Sequence, residues 1–193
     1  MRRLPESFFA GGRTEDIAKR LIGMRLISNS GGPRTAGVIV ETEAYLRDDP
    51  ACHASRGRTK RNESMFLSPG HSYVYLIYGL YYCFNVVTAP HGIGEAVLIR
   101  AIEPTDGIEA MSLRRNNAKI GSIANGPGKL CQAMGIDKSL DGRPLWESNL
   151  LYIEDGACSR KYGIASSERV GISSGKDLLL RYFLEGSPYV SRL

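Results

Sequence analysis

No run of apolar residues in this chain is long enough to span a bilayer. Met1-Arg2-Arg3-Leu4-Pro5 leads straight into Glu6, without the apolar core of a secretory signal. Cysteine is sparse: Cys52, Cys83, Cys131 and Cys158 are scattered, and no C-x-x-C pair suggests a zinc site. A chain of 193 residues buries a core without disulfide staples, so the four read as reduced thiols in a cytoplasmic protein. Internal repeats, low-complexity tracts and linkers are missing too, and residues 1–193 read as one domain. The glycine-rich stretch Asn125-Gly126-Pro127-Gly128-Lys129 lacks the spacing of a Walker loop. Helix capping and phosphate contact by its backbone amides are both open readings there.

What is present is an ordinary globular composition, 42% hydrophobic and 23% charged, with a formal net charge of +5. That balance favours an acidic partner. The most informative stretch is Gly37-Val38-Ile39-Val40-Glu41-Thr42-Glu43-Ala44-Tyr45. Its β-branched start predicts a strand, and alternation would put Val38, Val40, Thr42 and Ala44 on one face. Ile39, Glu41, Glu43 and Tyr45 would share the other. Such a face is either the solvated side of an edge strand or the wall of a site.

Around it the pattern predicts a helix capped by Thr14 and ended by Gly23, then a strand over 24–28. A basic loop follows Tyr45, with His53 and then Arg56, Arg58, Thr59, Lys60 and Arg61. Such a run is a solvated surface or a phosphate contact. Residues 72–88 carry five tyrosines among β-branched residues and read as a hairpin turning at Gly79, with Tyr78 at the tip. A core strand over 96–99 ends at Arg100, and Asp106 with Glu109 has capping-box spacing for a helix over 107–115. A second helix opens near Gly126 and ends near Gly135, a strand covers 150–154, and a polar loop spans 157–167.

In order along the chain, these motifs resemble the alkyladenine (3-methyladenine) DNA glycosylase family. The resemblance rests on V-E-T-E-A-Y at 40–45, His53, R-N at 61–62, M-F at 65–66 and Y-V-Y-x-I-Y-G at 73–79. It continues through Asn85, L-x-R-A-x-E-P at 98–104, G-P-x-K-L-C-Q-A at 126–133, R-V-G at 169–171 and G-S-P-x-V-S at 186–191. The resemblance implies an α+β fold, a curved antiparallel sheet flanked by helices, with a hairpin that enters the minor groove of double-stranded DNA. It implies a monomer that excises damaged purines with no metal, no cofactor and no covalent lysine intermediate.

By position, it makes Glu43 the base that activates water and Arg100 the arginine beside that water. Tyr45, His53 and Tyr75 become the rings that hold the extruded base, Asn85 the residue that disfavours guanine, and Tyr78 the intercalating side chain. Arg56, Arg58, Thr59, Lys60, Arg61 and Lys129 are the candidates for contacts to the DNA backbone. The chemistry agrees with these roles. A base inside a duplex must be extruded before its glycosidic bond can be reached. Aromatic faces then hold it, at roughly 1–3 kcal/mol per stacked base. Glu41 lies deeper in the strand and reads as structural.

Overall fold

The computed structural model describes residues 1–156 and 163–191. Two eleven-residue strands form its spine: β2 (Thr35–Tyr45) and β5 (Ala96–Asp106), paired antiparallel. Both are rich in valine and isoleucine at their centres, as a strand buried on both faces requires. Around them stand β1 (Arg25–Ser28), β3 (Ser72–Ile77), β4 (Tyr81–Val87), β6 (Leu151–Glu154), β7 (Ile164–Ser167) and β8 (Arg181–Leu184). The order is β3-β4-β5-β2-β1-β6, with β8 joining β2 and β7 joining β8, in one curled antiparallel sheet. The fold is thus α+β, as expected.

One edge of β2 is covered by β5. The other is shared: β1 pairs with 35–38 and β8 with 41–43. The segment bearing Glu41 and Glu43 is therefore flanked on both sides, and the solvated-edge reading falls. Alternation also fails at one place. A register shift between Ile39 and Glu41 sends both Ile39 and Val40 into the main core and leaves Val38 only half-buried.

Helices α2 (Thr14–Leu21) and α5 (Pro127–Met134) cover the sheet. Ile17 and Leu21 of α2, with Leu130 and Met134 of α5, meet Ile39, Val40, Ile99 and Ile102 in the core. Each such side chain contributes about 1.5–3 kcal/mol by leaving water. Proline opens α5 and Gly135, at φ 64°, closes it, as the sequence suggests. The short α1 (Glu6–Phe9) pins the N-terminus through Phe9, which is fully buried.

Several expected boundaries move. Thr14 is the first helical residue rather than the cap; its hydroxyl is 2.9 Å from that of Thr88. β5 does not stop near Arg100 but runs through Pro104, which sits beside a register shift at Ala36/Gly37 where a ladder N–H is dispensable. Asp106 ends β5 and pairs with Arg34, so it caps nothing; α3 (Ile108–Arg114) opens on Gly107 in the left-handed region at φ 65°. β7 lies within the expected polar loop, whose residues 157–162 fall outside the described residues, as does Cys158. Cys52, Cys83 and Cys131 are free and buried.

Candidate active site

Glu41 and Glu43 are both fully buried, but their surroundings differ. Glu41 accepts four hydrogen bonds: from Arg100 Nε at 2.9 Å, Arg181 Nε at 2.7 Å, the Ser191 amide at 2.6 Å and the Ser191 hydroxyl at 2.8 Å. Three of these fall on Oε1 and one, from the Ser191 amide, on Oε2. Burial alone would raise its pKa. Arg100, the Ser191 amide and Arg181 outweigh that and hold it below the ordinary value.

Glu43 has three contacts. Its Oε1 accepts from the Val170 amide at 2.7 Å. Its Oε2 accepts from the Tyr45 hydroxyl at 2.8 Å and lies 3.2 Å from Arg100 Nη1. One acceptor site remains. Here burial wins and pushes the carboxyl above its ordinary value, despite Arg100, the Val170 amide and Tyr45. The expected pull of Arg100 toward the charged form exists, but that guanidinium is divided between two carboxylates.

Two adjoining pockets open beside Tyr45, the hydrogen-bond partner of Glu43, and Glu43 itself lines neither. The first, about 130 Å³, is lined by Tyr45, His53, Tyr73, Tyr75 and Asn85, with Met65, Ile77 and Gly171 among its other walls. Four of the candidate residues therefore meet in one cleft. The His53 ring stands edge-on to Tyr75, with centroids 4.5 Å apart at 76°. His53 Nδ1 lies 2.9 Å from the hydroxyl of the buried Tyr73. Either atom of this pair can donate, according to the tautomer of the His53 ring. Partial burial and then Arg61 push the His53 pKa down, in keeping with the neutral ring. Asn85 Nδ2 donates to the Tyr73 carbonyl at 3.0 Å, so the amide is fixed in orientation. The second pocket, about 210 Å³, brings Arg100, Cys83 and Val170 together with Tyr78 and Tyr81 of the hairpin and Pro127 and Gly128 of α5. Tyr45 and Tyr75 line both.

The hairpin itself is β3 and β4, paired from Ser72↔Val86 to Ile77↔Tyr81. Tyr78 and Gly79 turn it with φ of 54° and 69°. Positive φ is costly for a bulky residue, and Tyr78 is nonetheless 81% exposed. Neither packing nor backbone preference explains a tyrosine there.

The basic loop is exposed beside this hairpin: Arg61 Nη2 donates to the Leu76 carbonyl at 3.1 Å. Arg58 pairs with Glu63 at 2.8 Å. Thr59 is a loop fastener, its amide and hydroxyl bonding Asn62 Oδ1 at 2.6 and 3.0 Å. Arg56 and Lys60 face solvent. Lys129 stands at the start of α5, its Nζ 2.8 Å from Asn125 Oδ1.

Four neighbouring residues carried no role in the sequence reading. Tyr73 anchors His53. Arg169 lies with its guanidinium carbon 4.8 Å from the centre of the Tyr45 ring, and is held by Asp49 and by the Ala44 carbonyl at 3.1 Å. It thereby fastens the segment that delivers the Val170 amide to Glu43. Arg181 and Ser191 supply three of the four hydrogen bonds to Glu41. Arg169 and Ser191 fall within the R-V-G and G-S-P-x-V-S motifs; Arg181 carried no local signal. Among the described residues, no three histidine, cysteine or acidic side chains gather as a metal-binding group.

A carboxylate held behind aromatic walls, with a guanidinium at its side and an exposed tyrosine beyond, is the equipment of the DNA glycosylase class of hydrolases. Comparison with known proteins narrows this. The family model described as Methylpurine-DNA glycosylase (MPG) matches residues 7–188, and the chain belongs to that family. It is 48% identical over 192 residues to a protein of Methanoculleus marisnigri, covering 98% of each chain. It is 46% identical over 189 residues to one of Carboxydothermus hydrogenoformans, again covering 98% of each. A Bacillus cereus protein is 44% identical over 203 residues, covering 97% of this chain and 98% of its own. All three are named "Putative 3-methyladenine DNA glycosylase".

Proposed function

We propose that this chain is a monofunctional glycosylase of base excision repair, acting as a monomer on double-stranded DNA in the cytoplasm, at the nucleoid. It approaches from the minor groove. The damaged purine is extruded, and Tyr78 fills the vacated stack while neighbouring phosphates lie along the basic loop. The base enters the first pocket between the rings of Tyr45, His53 and Tyr75, and Asn85 opposes the exocyclic amino group of guanine. Alkylation at N3 or N7 makes the purine cationic, so it stacks well on electron-rich rings and leaves without a protein acid. Glu43 takes a proton from water, the water oxygen bonds to the anomeric carbon, and the electrons of the breaking glycosidic bond pass to the purine. An abasic site and a free base result. The water's place is the second pocket, near Arg100 and Val170, and it donates to Glu43 Oε1, which has an acceptor site left beside the Val170 amide.

The observation that supports this reading is the contrast between the acids: Glu41 takes four hydrogen bonds and is paired with two arginines, whereas Glu43 takes two and is held by Arg100 and by Tyr45, a wall of both pockets. The relatives' names support 3-methyladenine as a substrate; hypoxanthine, a neutral purine, would need a proton donor for its departure as well. Two defined duplexes, one with 3-methyladenine and one with hypoxanthine, test this by release of free base. Release by the wild type and its loss in Glu43→Gln, with lesion binding kept, is the expected outcome. No release by the wild type at high enzyme concentration would remove the enzymatic reading. Asn85→Ser should release more guanine from undamaged DNA, and unchanged selectivity would remove its assigned role.

A further inference from the structure

Among the described residues, four charges are buried together behind the cleft: Glu41 and Glu43 on β2, Arg100 on β5 and Arg181 on β8. Each of these side chains is at most 6% exposed. Two negative and two positive charges cancel, but the pairing is uneven. Arg181 is opposite Glu43 in register, yet its guanidinium turns to the diagonal neighbour, with Nε 2.7 Å from Glu41 Oε1. Its Nη1 donates to the Ser167 hydroxyl at 3.1 Å, and its guanidinium carbon is 4.6 Å from the centre of the Phe183 ring. Arg100 bridges the two acids: Nε donates to Glu41 at 2.9 Å and Nη1 forms an ion pair with Glu43 at 3.2 Å, while Nη1 and Nη2 donate to the Val170 carbonyl and the Ser191 hydroxyl, each at 3.3 Å.

At low dielectric a lone carboxylate competes strongly for a shared guanidinium. We propose that Arg181, which lines neither pocket, is a positioning residue for the reaction: by balancing Glu41 it leaves Arg100 Nη1, and the charge that goes with it, to Glu43. The inference rests on Glu43 being the base that activates water. The groups facing Glu43 from the surrounding elements are Tyr45 and Glu41 on its own strand, Cys83 on β4, Arg100 on β5 and Arg181 on β8. The Val170 amide and Arg169 face it from the loop after β7. Arg169 is already committed to Asp49, which leaves Arg100 and Arg181 to balance the two glutamates.

The test is the pH dependence of base release in single turnover, on a duplex carrying one defined lesion. In the wild type the rate falls on the acid side as Glu43 takes a proton. Arg181→Met leaves one net negative charge in the cluster, and this limb should move up by about one pH unit. Arg181→Lys keeps the charge and should leave the limb in place. Glu41→Gln removes a negative charge and should move it down. The double variant Glu41→Gln/Arg181→Met restores the balance, and its limb should return to that of the wild type. A purely structural Arg181 would lower the rate at every pH without moving the limb, and that result overturns the proposal. Should Arg181→Met fail to fold, the Glu41→Gln variant and the double variant decide alone: equal limbs in the two overturn it. If Glu43→Gln still releases base with an acid limb, the Glu43 reading fails instead, and this proposal falls with it.

Discussion

At the scale of single residues, Glu41 and Glu43 sit two positions apart, yet their protonation moves in opposite directions. The consequence for stability follows from linkage. Glu43 binds its proton more tightly in the folded state. The stability this adds is present below its ordinary value of 4.5 and is lost as pH rises through the raised folded value. At neutral pH the buried charge is therefore a burden, and Glu43→Gln should melt at or above the wild-type temperature. Its rate of base release should fall by roughly 10²–10⁴-fold, the usual contribution of a general base. Thermal melts at pH 7 and single-turnover release check both halves, and a lower melting temperature would show Glu43 to be a structural acid. Glu41 has the reverse sign: its contribution is present above the ordinary value of 4.5 and is lost as pH falls through the lowered one. Glu41→Gln should thus cost stability at pH 7, and the deficit should shrink as the medium is acidified. Tyr45→Phe removes a hydrogen bond that favours ionised Glu43, so its acid limb should move to higher pH, and an unmoved limb would show that the hydroxyl does not tune the base.

At the scale of elements, the hairpin and β2 show what local pattern can and cannot carry. The turn at Gly79, the exposed tyrosine and the glycine-ended helix α5 were all legible, because each depends on backbone preference over a few neighbouring residues. The acids were legible as a pair, but their burial was not. It depends on β8, more than 130 residues downstream in sequence, covering the second edge of β2. Arg181 and Ser191 contact Glu41 across sequence separations of 140 and 150 residues, and no periodicity encodes that. β5 runs past the expected end at Arg100 because that charge is buried against Glu41 and Glu43, which a charge after an apolar run does not reveal. The hairpin tip yields a prediction of its own. Tyr78→Gly relieves a positive φ of 54° on an 81% exposed side chain, so the folded state should gain up to about 1 kcal/mol. Lesion capture should collapse in the same protein. Denaturant unfolding beside base release measures the pair, and a loss of stability would place the tyrosine in the packing rather than in the DNA. In β2 the opposite holds at Gly37, where a Cβ would lie 2.7 Å from both the Glu103 carbonyl oxygen and Ile102 Cδ1. Gly37→Ala should cost about 1–3 kcal/mol in urea unfolding; a smaller loss would mean that the two strands part easily.

At the scale of the whole molecule, a net charge of +5 is modest, and its placement matters more than its size. The basic loop stands beside the hairpin, tied to it by Arg61 and the Leu76 carbonyl. If this face receives DNA, each phosphate neutralised releases counterions, and the logarithm of affinity falls with the logarithm of salt by about 0.9 per contact. The four basic residues of the loop should not contribute equally. Arg58 is already paired with Glu63, so its charge is partly spent within the protein. Arg61 is committed to a backbone carbonyl and lies 5.9 Å from the Tyr75 ring centre, so its loss should disturb the cleft as well as the phosphate contact. Arg56 and Lys60 are exposed and engage no carboxylate among the described residues. Arg56→Gln and Lys60→Gln should each reduce the salt slope by about one contact, Arg58→Gln by less, and none should shift the melting temperature appreciably. Binding to a lesion-bearing duplex between 50 and 200 mM salt, followed by fluorescence anisotropy, gives the slopes. Unchanged slopes in Arg56→Gln and Lys60→Gln would move the phosphate track off this loop and toward Lys129 at the start of α5.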